Sequence, residues 1–330
     1  MPRITLNRSH FFYNLDRIAQ KTGSKEKIAL VLKDNAYGHG LREMATLAQE
    51  YGITKAVVRL DTEAKEIEKY FEYILVLADI PQIASKKISY TINDINSIKK
   101  FAKDTKVELK VDTGMGRNGV HLFELDEAIA LIKKQGLQLE AVFTHHSCAD
   151  ELNGNYELQK SSFEELKRRL PSTLRFHSCN SAALFREESF SDDMARVGIA
   201  AYGCLEMPKE LASVDVKPVL SLYASKNSTR ILHKHDRVGY GATFCSEKSC
   251  CVSNYDFGYG DGFLRSCSNH YETPEGIEIA GRISMDNSSF LCEEEELLIF
   301  KDASRVASFA KTISYEVLTS LKPHLKREIV

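Results

Sequence analysis

Lys33 stands where an apolar run gives way to a turn in "VLKDNAYGHG", residues 31–40, and Asn35, Tyr37, two glycines and His39 surround it. A lysine held in a low-dielectric site has a depressed pKa and becomes a useful amine. A neutral amine can attack an aldehyde and form a Schiff base. Other polar residues stand at the ends of similar runs. "VELKVD" ends near Lys110 and continues into "DTGMGRNG" with Arg117. "LEAVFTH" leads into "THHSCADE", which holds His145. "LRFHS" contains His177 and is followed by Asn180 and Ser181, and "MARVGIAAYG" carries Arg196, Gly198 and Ile199. A lone case of this kind is most simply a satisfied structural group, but five runs ending this way together are hard to explain by packing.

Some of these groups suit a phosphate. "NSAA" offers the Ser181 hydroxyl and a helix start, "RVGIA" offers the Gly198 and Ile199 backbone N–H groups, and Tyr37 offers a hydroxyl. A reactive lysine beside a phosphate cradle points to pyridoxal phosphate.

The elements that must position these residues follow from the apolar pattern. Strand-like runs occur at 28–33, 55–60, 73–79, 88–92, 107–112, 139–145, 174–178 and 194–203. Amphipathic stretches such as "LREMATLAQEYG" and "FELDEAIALIKKQG" lie between them, and Gly52 and Gly136 suit helix C-caps. Strands alternating with helices predict parallel βα units, and eight is the count of a closed (β/α)₈ barrel. An open doubly wound sheet is the alternative. In a barrel, chemistry sits at the carboxyl ends of the strands, where the polar residues fall. After Gly203 the pattern changes to short strands with glycine turns. The expected organisation is a barrel over residues 1–210 and a mainly β domain over 211–330, with a first strand near the N-terminus able to join the β domain.

The chain has 330 residues, 43% hydrophobic and 27% charged, with a net charge of −2. That is enough to bury a sizeable core, and the near-neutral balance gives no footing for nucleic acid or an anionic membrane. Eight cysteines form no Cys-x-x-Cys pair and no zinc-type spacing, so reduced thiols and no metal are expected. The N-terminus lacks the apolar core of a signal peptide, and no apolar run approaches the ~20 residues of a spanning helix. A cytoplasmic protein is expected.

The motifs together resemble the alanine racemases. "VLKDNAYGHG" is similar to the family's cofactor signature, with Asp34 where the family usually has Ala. "KVDTGMGRNG", "THHSCADE", "HSCNSAA", "RVGIAAYG", "VGYGATF", "FGYGDGFLR", "GRISMDN" and "ISYEV" follow in the family's order. The resemblance implies the (β/α)₈ barrel and β domain, a homodimer, pyridoxal phosphate on Lys33, and interconversion of L- and D-alanine that supplies peptidoglycan synthesis. It implies that Lys33 is the base on one face of the substrate and Tyr240, from the partner subunit, the base on the other. A tyrosine base works as a phenolate, which needs cationic neighbours. Tyr37, Ser181, Gly198, Ile199 and Tyr315 match the phosphate contacts, with Asn180 beside them. Arg196 matches the arginine facing the pyridine nitrogen, and His145 the histidine stacked under the ring. Arg117 and the Met285 backbone match groups that meet the substrate carboxylate. Asp150, Tyr259, Arg265, Arg282 and Ile313 match the narrow entrance. Lys110 matches a lysine that the family often carbamylates.

Departures from the family pattern carry expectations of their own. Asp34 is read as a solvated turn group and His146 as packing. Phe244 loses a hydroxyl that the family usually has. The short tail after "ISYEVLTSLKPHLKREIV" leaves the packing of the C-terminus open. The alternatives are a racemase acting on serine, lysine or arginine, a non-catalytic vitamin B6 carrier, and a decarboxylase. The β domain argues against the carrier, and Arg196 against the decarboxylase.

Overall fold

The computed structural model describes residues 1–330. In chain order the strands are β1 (Arg3–Leu6), β2 (Ile28–Val31), β3 (Lys55–Val58), β4 (Tyr73–Val76), β5 (Ile88–Ile92) and β6 (Lys106–Asp112). There follow β7 (Val120–His121), β8 (Gln138–Phe143), β9 (Arg175–His177), β10 (Ala195–Val197) and β11 (Leu220–Leu232). The last are β12 (Arg237–Val238), β13 (Phe244–Cys245), β14 (Cys250–Tyr255), β15 (Ser288–Phe290), β16 (Glu296–Phe300) and β17 (Lys326–Ile329). All eight predicted runs of the first half contain a strand.

Those strands pair in parallel in the order β10-β2-β3-β4-β5-β6-β8-β9. The order follows the chain without reversal, which sets aside the doubly wound sheet, whose order reverses at a switch point. The sheet curls into a nearly closed barrel. Between β9 and β10 individual hydrogen bonds replace a ladder: Asp193 N–H to Phe176 O at 2.9 Å and Arg196 N–H to Cys179 O at 2.9 Å. The strands are short, apolar and almost wholly buried, as expected where helices cover a parallel sheet. Helices Leu41–Tyr51 and Leu125–Gln135 end at Gly52 and Gly136 in left-handed conformation, as their sequences predict.

The second region is a six-stranded sheet in the order β15-β14-β11-β1-β17, with β16 also on β11. The first strand joins it: β1 runs antiparallel to β11 and parallel to β17. The tail is therefore packed, since β17 lies beside β1 and Leu325 is buried. One apolar cluster of 82 buried residues spans both regions, from Leu30 in the barrel to Phe290 in the β sheet. No helix is long and apolar enough to cross a membrane.

Candidate active site

The turn after β2 is unusual. Asp34, Asn35, Ala36 and Tyr37 all have positive φ, from 51° to 56°, and Gly38 follows at 77°. A left-handed conformation costs roughly 1–2 kcal/mol per non-glycine residue, so the surroundings must hold it. They do so by side chain and backbone. Asp34 N–H donates to Glu63 Oε1 at 2.7 Å, and Leu41 N–H donates to Asn35 Oδ1 at 2.9 Å. Arg327, in β17, donates Nε and Nη2 to Gly38 O at 3.0 and 2.8 Å. A Cβ on Gly38 would lie 2.0 Å from Leu318 O, so glycine is required for the turn to rest on helix Ser314–Ser320. That helix carries Tyr315, whose ring lies 5.8 Å from that of Tyr37.

Lys33, Tyr37 and Tyr315 line a cavity of about 470 Å³ at the carboxyl ends of the strands. In the same cavity the Ser181 hydroxyl accepts from Gly198 N–H at 3.2 Å and Ala200 N–H at 3.3 Å. A Cβ on Gly198 would fall 2.7 Å from the Tyr37 hydroxyl, so only glycine lets that phenol approach this backbone. Burial, then the charges of Tyr315 and Asp34, pushes the Tyr37 phenol far above its ordinary value. Burial and the Asp150 charge do the same for Tyr315. Both phenols stay protonated and can donate to an anion such as a phosphate.

The cavity is cationic. Lys33, Arg59, Lys110, Arg117 and Arg196 line it, against a single carboxylate, Asp34. Burial, then Arg117 and Arg196, lowers the Lys110 ammonium to about 8. Burial and the Arg196 charge hold His145 well below its ordinary value, so its ring is neutral. The loop carrying Arg117 is wound round Asp112, which accepts from Met115 N–H at 2.8 Å and Gly114 N–H at 2.9 Å. Burial raises that carboxyl, yet the N–H groups outweigh it and hold it below its ordinary value.

Arg196 is 5% exposed and donates to carbonyls at the ends of two strands: Thr144 O at 2.7 Å and His177 O at 3.2 Å. It also donates to Ser178 O at 3.2 Å. Three carbonyls therefore hold its two terminal nitrogens. An amine, a set of phosphate donors and a fixed guanidinium together suit an anionic ligand bearing an aldehyde.

The model for the alanine racemase N-terminal domain matches residues 6–206, and that for the alanine racemase C-terminal domain matches residues 219–329. The chain belongs to the alanine racemase family. The alanine racemase of Campylobacter curvus (strain 525.92) is 42% identical over 344 residues, covering 100% of both chains. That of a Nitratiruptor species is 41% identical over 335 residues, 99% of each. Among solved structures, the alanine racemase from E. faecalis has a TM-score of 0.90 at 27% identity, covering 100% of this chain and 98% of that one. The alanine racemase from Bacillus anthracis with bound L-Ala-P has a TM-score of 0.89 at 26% identity, covering 100% and 95%. A histidine racemase from Leuconostoc mesenteroides has a TM-score of 0.87 at 26% identity, covering 100% and 98%.

Of the residues matched to alanine racemase motifs, the cavity brings together Lys33, Tyr37, Lys110, Arg117, His145, Asn180, Ser181, Arg196, Gly198, Ile199 and Tyr315. The β-domain group is elsewhere in the single chain. Tyr240, Tyr259, Arg265, Arg282 and Met285 do not line the cavity. The segment 282–285 links several of them: Arg282 packs on Gly239 and Gly241, while Tyr259 N–H donates to Ser284 O at 3.0 Å. Asp150 and Ile313 do not line the cavity either; Asp150 is near enough to Tyr315 for its charge to raise that phenol, and Ile313 caps the helix that carries Tyr315.

Asp34 stands in the turn with its side chain partly exposed, and it also pairs with Arg59 at 3.2 Å on the cavity wall. His146 packs, 3% exposed, against Tyr156. The motifs did not single out Arg59, Asn93 or Asn118 as cavity residues. Arg59 follows β3 and Asn93 follows β5, so the strand-end rule that marks Lys33 also reaches these two.

Proposed function

We propose that this protein is a pyridoxal phosphate-dependent alanine racemase that interconverts L- and D-alanine. The observation that carries the reading is the barrel-mouth cavity that Lys33, the Tyr37–Ser181–Gly198 cradle and Arg196 line together. The cradle fits a phosphate, Lys33 fits the aldehyde carbon, and the space between suits a planar ring. Tyr37, Ser181, Gly198, Ile199 and Tyr315 would hold the phosphate, Asn180 and the neutral His145 would flank the ring, and Arg196 would face its nitrogen. When bound, the cofactor supplies a sink for the electron pair left when the substrate Cα loses its proton.

The protein's own groups do the rest. Lys33 Nζ takes or returns the Cα proton on one face. Tyr240 of a second copy of the chain does so on the other, through its phenolic oxygen. Because the two bases act on opposite faces, a proton removed by one and delivered by the other inverts the centre. Each such group is typically worth about 10²–10⁴-fold. Arg196 cannot surrender its proton, so facing the ring nitrogen it would donate without protonating it and would limit the sink. That favours simple proton return over the side reactions of a longer-lived carbanion. Arg117 and the Met285 backbone orient the substrate carboxylate. A carbamylated Lys110 would face Arg117 as an anion; its amine, lowered to about 8, is neutral often enough at physiological pH to react with carbon dioxide. Asp150, Tyr259, Arg265, Arg282 and Ile313 would form the entrance of the assembled homodimer.

The substrate is the element of this reading most open to test, since a histidine racemase shares the fold at 26% identity. The loaded protein is assayed with L-alanine and D-alanine beside serine, lysine, arginine and histidine. Alanine should give the highest kcat/KM in both directions. Turnover of another amino acid but not alanine would replace the substrate. Cofactor absorbance with no turnover of any would make the protein a vitamin B6 carrier.

A further inference from the structure

Beneath the cavity, inside the barrel, Arg196 meets a buried run of polar groups to which the mechanism above gives no role. Arg196 Nη1 lies 2.6 Å from His177 Nδ1, and His177 Nε2 lies 2.8 Å from Glu108 Oε2. His177 and Glu108 are both 0% exposed. The other Glu108 oxygen accepts from Arg175 Nη2 at 2.9 Å and from the Tyr73 hydroxyl. Arg175 also donates to Glu140 at 3.2 Å. Glu108 and Lys110 are two apart on β6 and share a face, so Glu108 stands one layer below the cavity wall.

The donors and acceptors determine one proton arrangement. A guanidinium only donates and an ionised carboxylate only accepts. His177 lies between them, so it satisfies both only as the neutral tautomer with its proton on Nε2. The environment agrees with this. Burial, outweighing Glu108, pulls His177 below its ordinary value, while His177, Arg175 and Tyr73 overcome burial and hold Glu108 below the carboxylate range. Every bond that Arg196 makes within the chain uses Nη1 or Nη2, leaving Nε–H for a ligand.

We propose that Glu108, through His177, is a positioning residue for Arg196. Its carboxylate selects the tautomer that lets His177 accept from the guanidinium, and so fixes which N–H of Arg196 faces the cofactor ring. This inference rests on the reading that the cavity holds pyridoxal phosphate with Arg196 at the ring nitrogen. Packing alone does not require a carboxylate here. A buried charge costs several kcal/mol before it is paired, and an apolar side chain of similar volume would fill the layer more cheaply.

Glu108→Gln tests this at nearly constant shape. With its NH₂ toward His177, the amide drives the proton to Nδ1, where it meets the Arg196 N–H. With its NH₂ toward Arg175, two donors meet there instead. Either way a donor–donor contact enters the run. The experiment follows ¹⁵N-histidine-labelled holoenzyme by NMR, with cofactor absorbance, alanine kinetics and thermal denaturation on the same samples. Wild type should show His177 neutral with a downfield Nε2–H resonance. Glu108→Gln should lose that resonance if its NH₂ faces His177, or shift it upfield if a neutral amide oxygen replaces the carboxylate there. In either case it should shift the cofactor absorbance and lower kcat by about 10–100-fold, the range carried by groups that orient metal ligands.

Tyr73→Phe removes a neutral donor from the same carboxylate but leaves its charge, and should keep the resonance, the absorbance and the rate. A wild-type His177 protonated on Nδ1 or on both nitrogens would overturn the proposal, even if Glu108→Gln failed to fold. An unchanged absorbance and rate in Glu108→Gln, or an equal loss in Tyr73→Phe, would also overturn it. If wild type binds no cofactor or turns over no alanine, the functional reading fails instead, and the NMR result still reports the tautomer.

Discussion

The barrel and the β domain carry their matched residues in opposite ways. In the barrel most are enclosed, Arg117 excepted: Ser181 is 4% exposed, Arg196 5% and Tyr37 8%. In the β domain they lie on the surface, with Tyr240 67% exposed and Met285 56%. In the barrel Arg196 is held by several hydrogen bonds, whereas Tyr240 stands in a glycine-flanked turn between Gly239 and Gly241. The difference teaches that one chain completes one half of the proposed site and displays the other. A barrel closes on itself, so its strand ends converge within one molecule. The β sheet instead presents a face, and an isologous dimer of the proposed kind would bring that face over the partner's barrel mouth.

The largest expected effect tests whether both halves are needed. Lys33→Ala should abolish racemisation beyond about 10⁴-fold, and Tyr240→Phe should lower it by about 10²–10⁴-fold while leaving cofactor binding and thermal stability intact. Borohydride reduction and peptide mapping of wild type should find the pyridoxyl group on Lys33. Mixing the two inactive variants gives the decisive measurement. With the tyrosine acting in trans, half the dimers are mixed and one of their two sites holds both bases, so about a quarter of wild-type activity returns. No recovery after demonstrated subunit exchange would place both halves of the site in one chain.

A smaller effect probes the charge balance within the barrel. Lys110 should carry a carbamate hydrogen-bonded to Arg117, visible in intact mass as one added carbon dioxide. Lys110→Ala should raise the KM for alanine by about tenfold, roughly 1.4 kcal/mol of carboxylate binding. A bare ammonium in a well-resolved map, or a chloride between Lys110 and Arg117, would refute the modification.

The smallest effect separates the halves by stability. Burial holds His39 and His146, both in the barrel region, down to about 4 from 6.5. The unfolded chain takes up these protons as pH falls through 6.5, and the folded chain does so only near 4. Stability should therefore fall across that window, by up to about 1.4 kcal/mol per pH unit for each group. Thermal denaturation of His39→Gln should show the slope reduced by its share, up to about 1.4 kcal/mol per pH unit, with His146, His145 and His177 carrying the rest. A slope unchanged by His39→Gln would mean that other groups dominate.

Much of the barrel can be read along the chain, because its strands are local apolar runs whose ends fall at predictable places. Lys33, Arg196 and the Ser181–Gly198 pair are marked this way: polar residues stopping an apolar run need a reason. Arg59 and Asn93 obey the same rule but lack a memorable motif around them. Glu108 was hidden for a different reason. Inside the run "VELKVD" it looks like the polar half of an alternating strand, and only the closed barrel turns it inward to meet His177, 69 residues away.

The sequence by itself determined the order and type of the elements, the glycine positions and the cofactor signature, since each depends on neighbours a few residues apart. Only the tertiary structure decided what needs distant segments. It stabilises the left-handed turn at Asp34–Tyr37 through Glu63 and Arg327, neither of which lies in the motif. It pairs Asp34 with Arg59, packs the tail beside β1, and joins Arg196 to Glu108 through His177. Local periodicity registers which face of a strand is buried, but not which distant charge that face will meet. That choice is made when the barrel closes and buried donors must find acceptors.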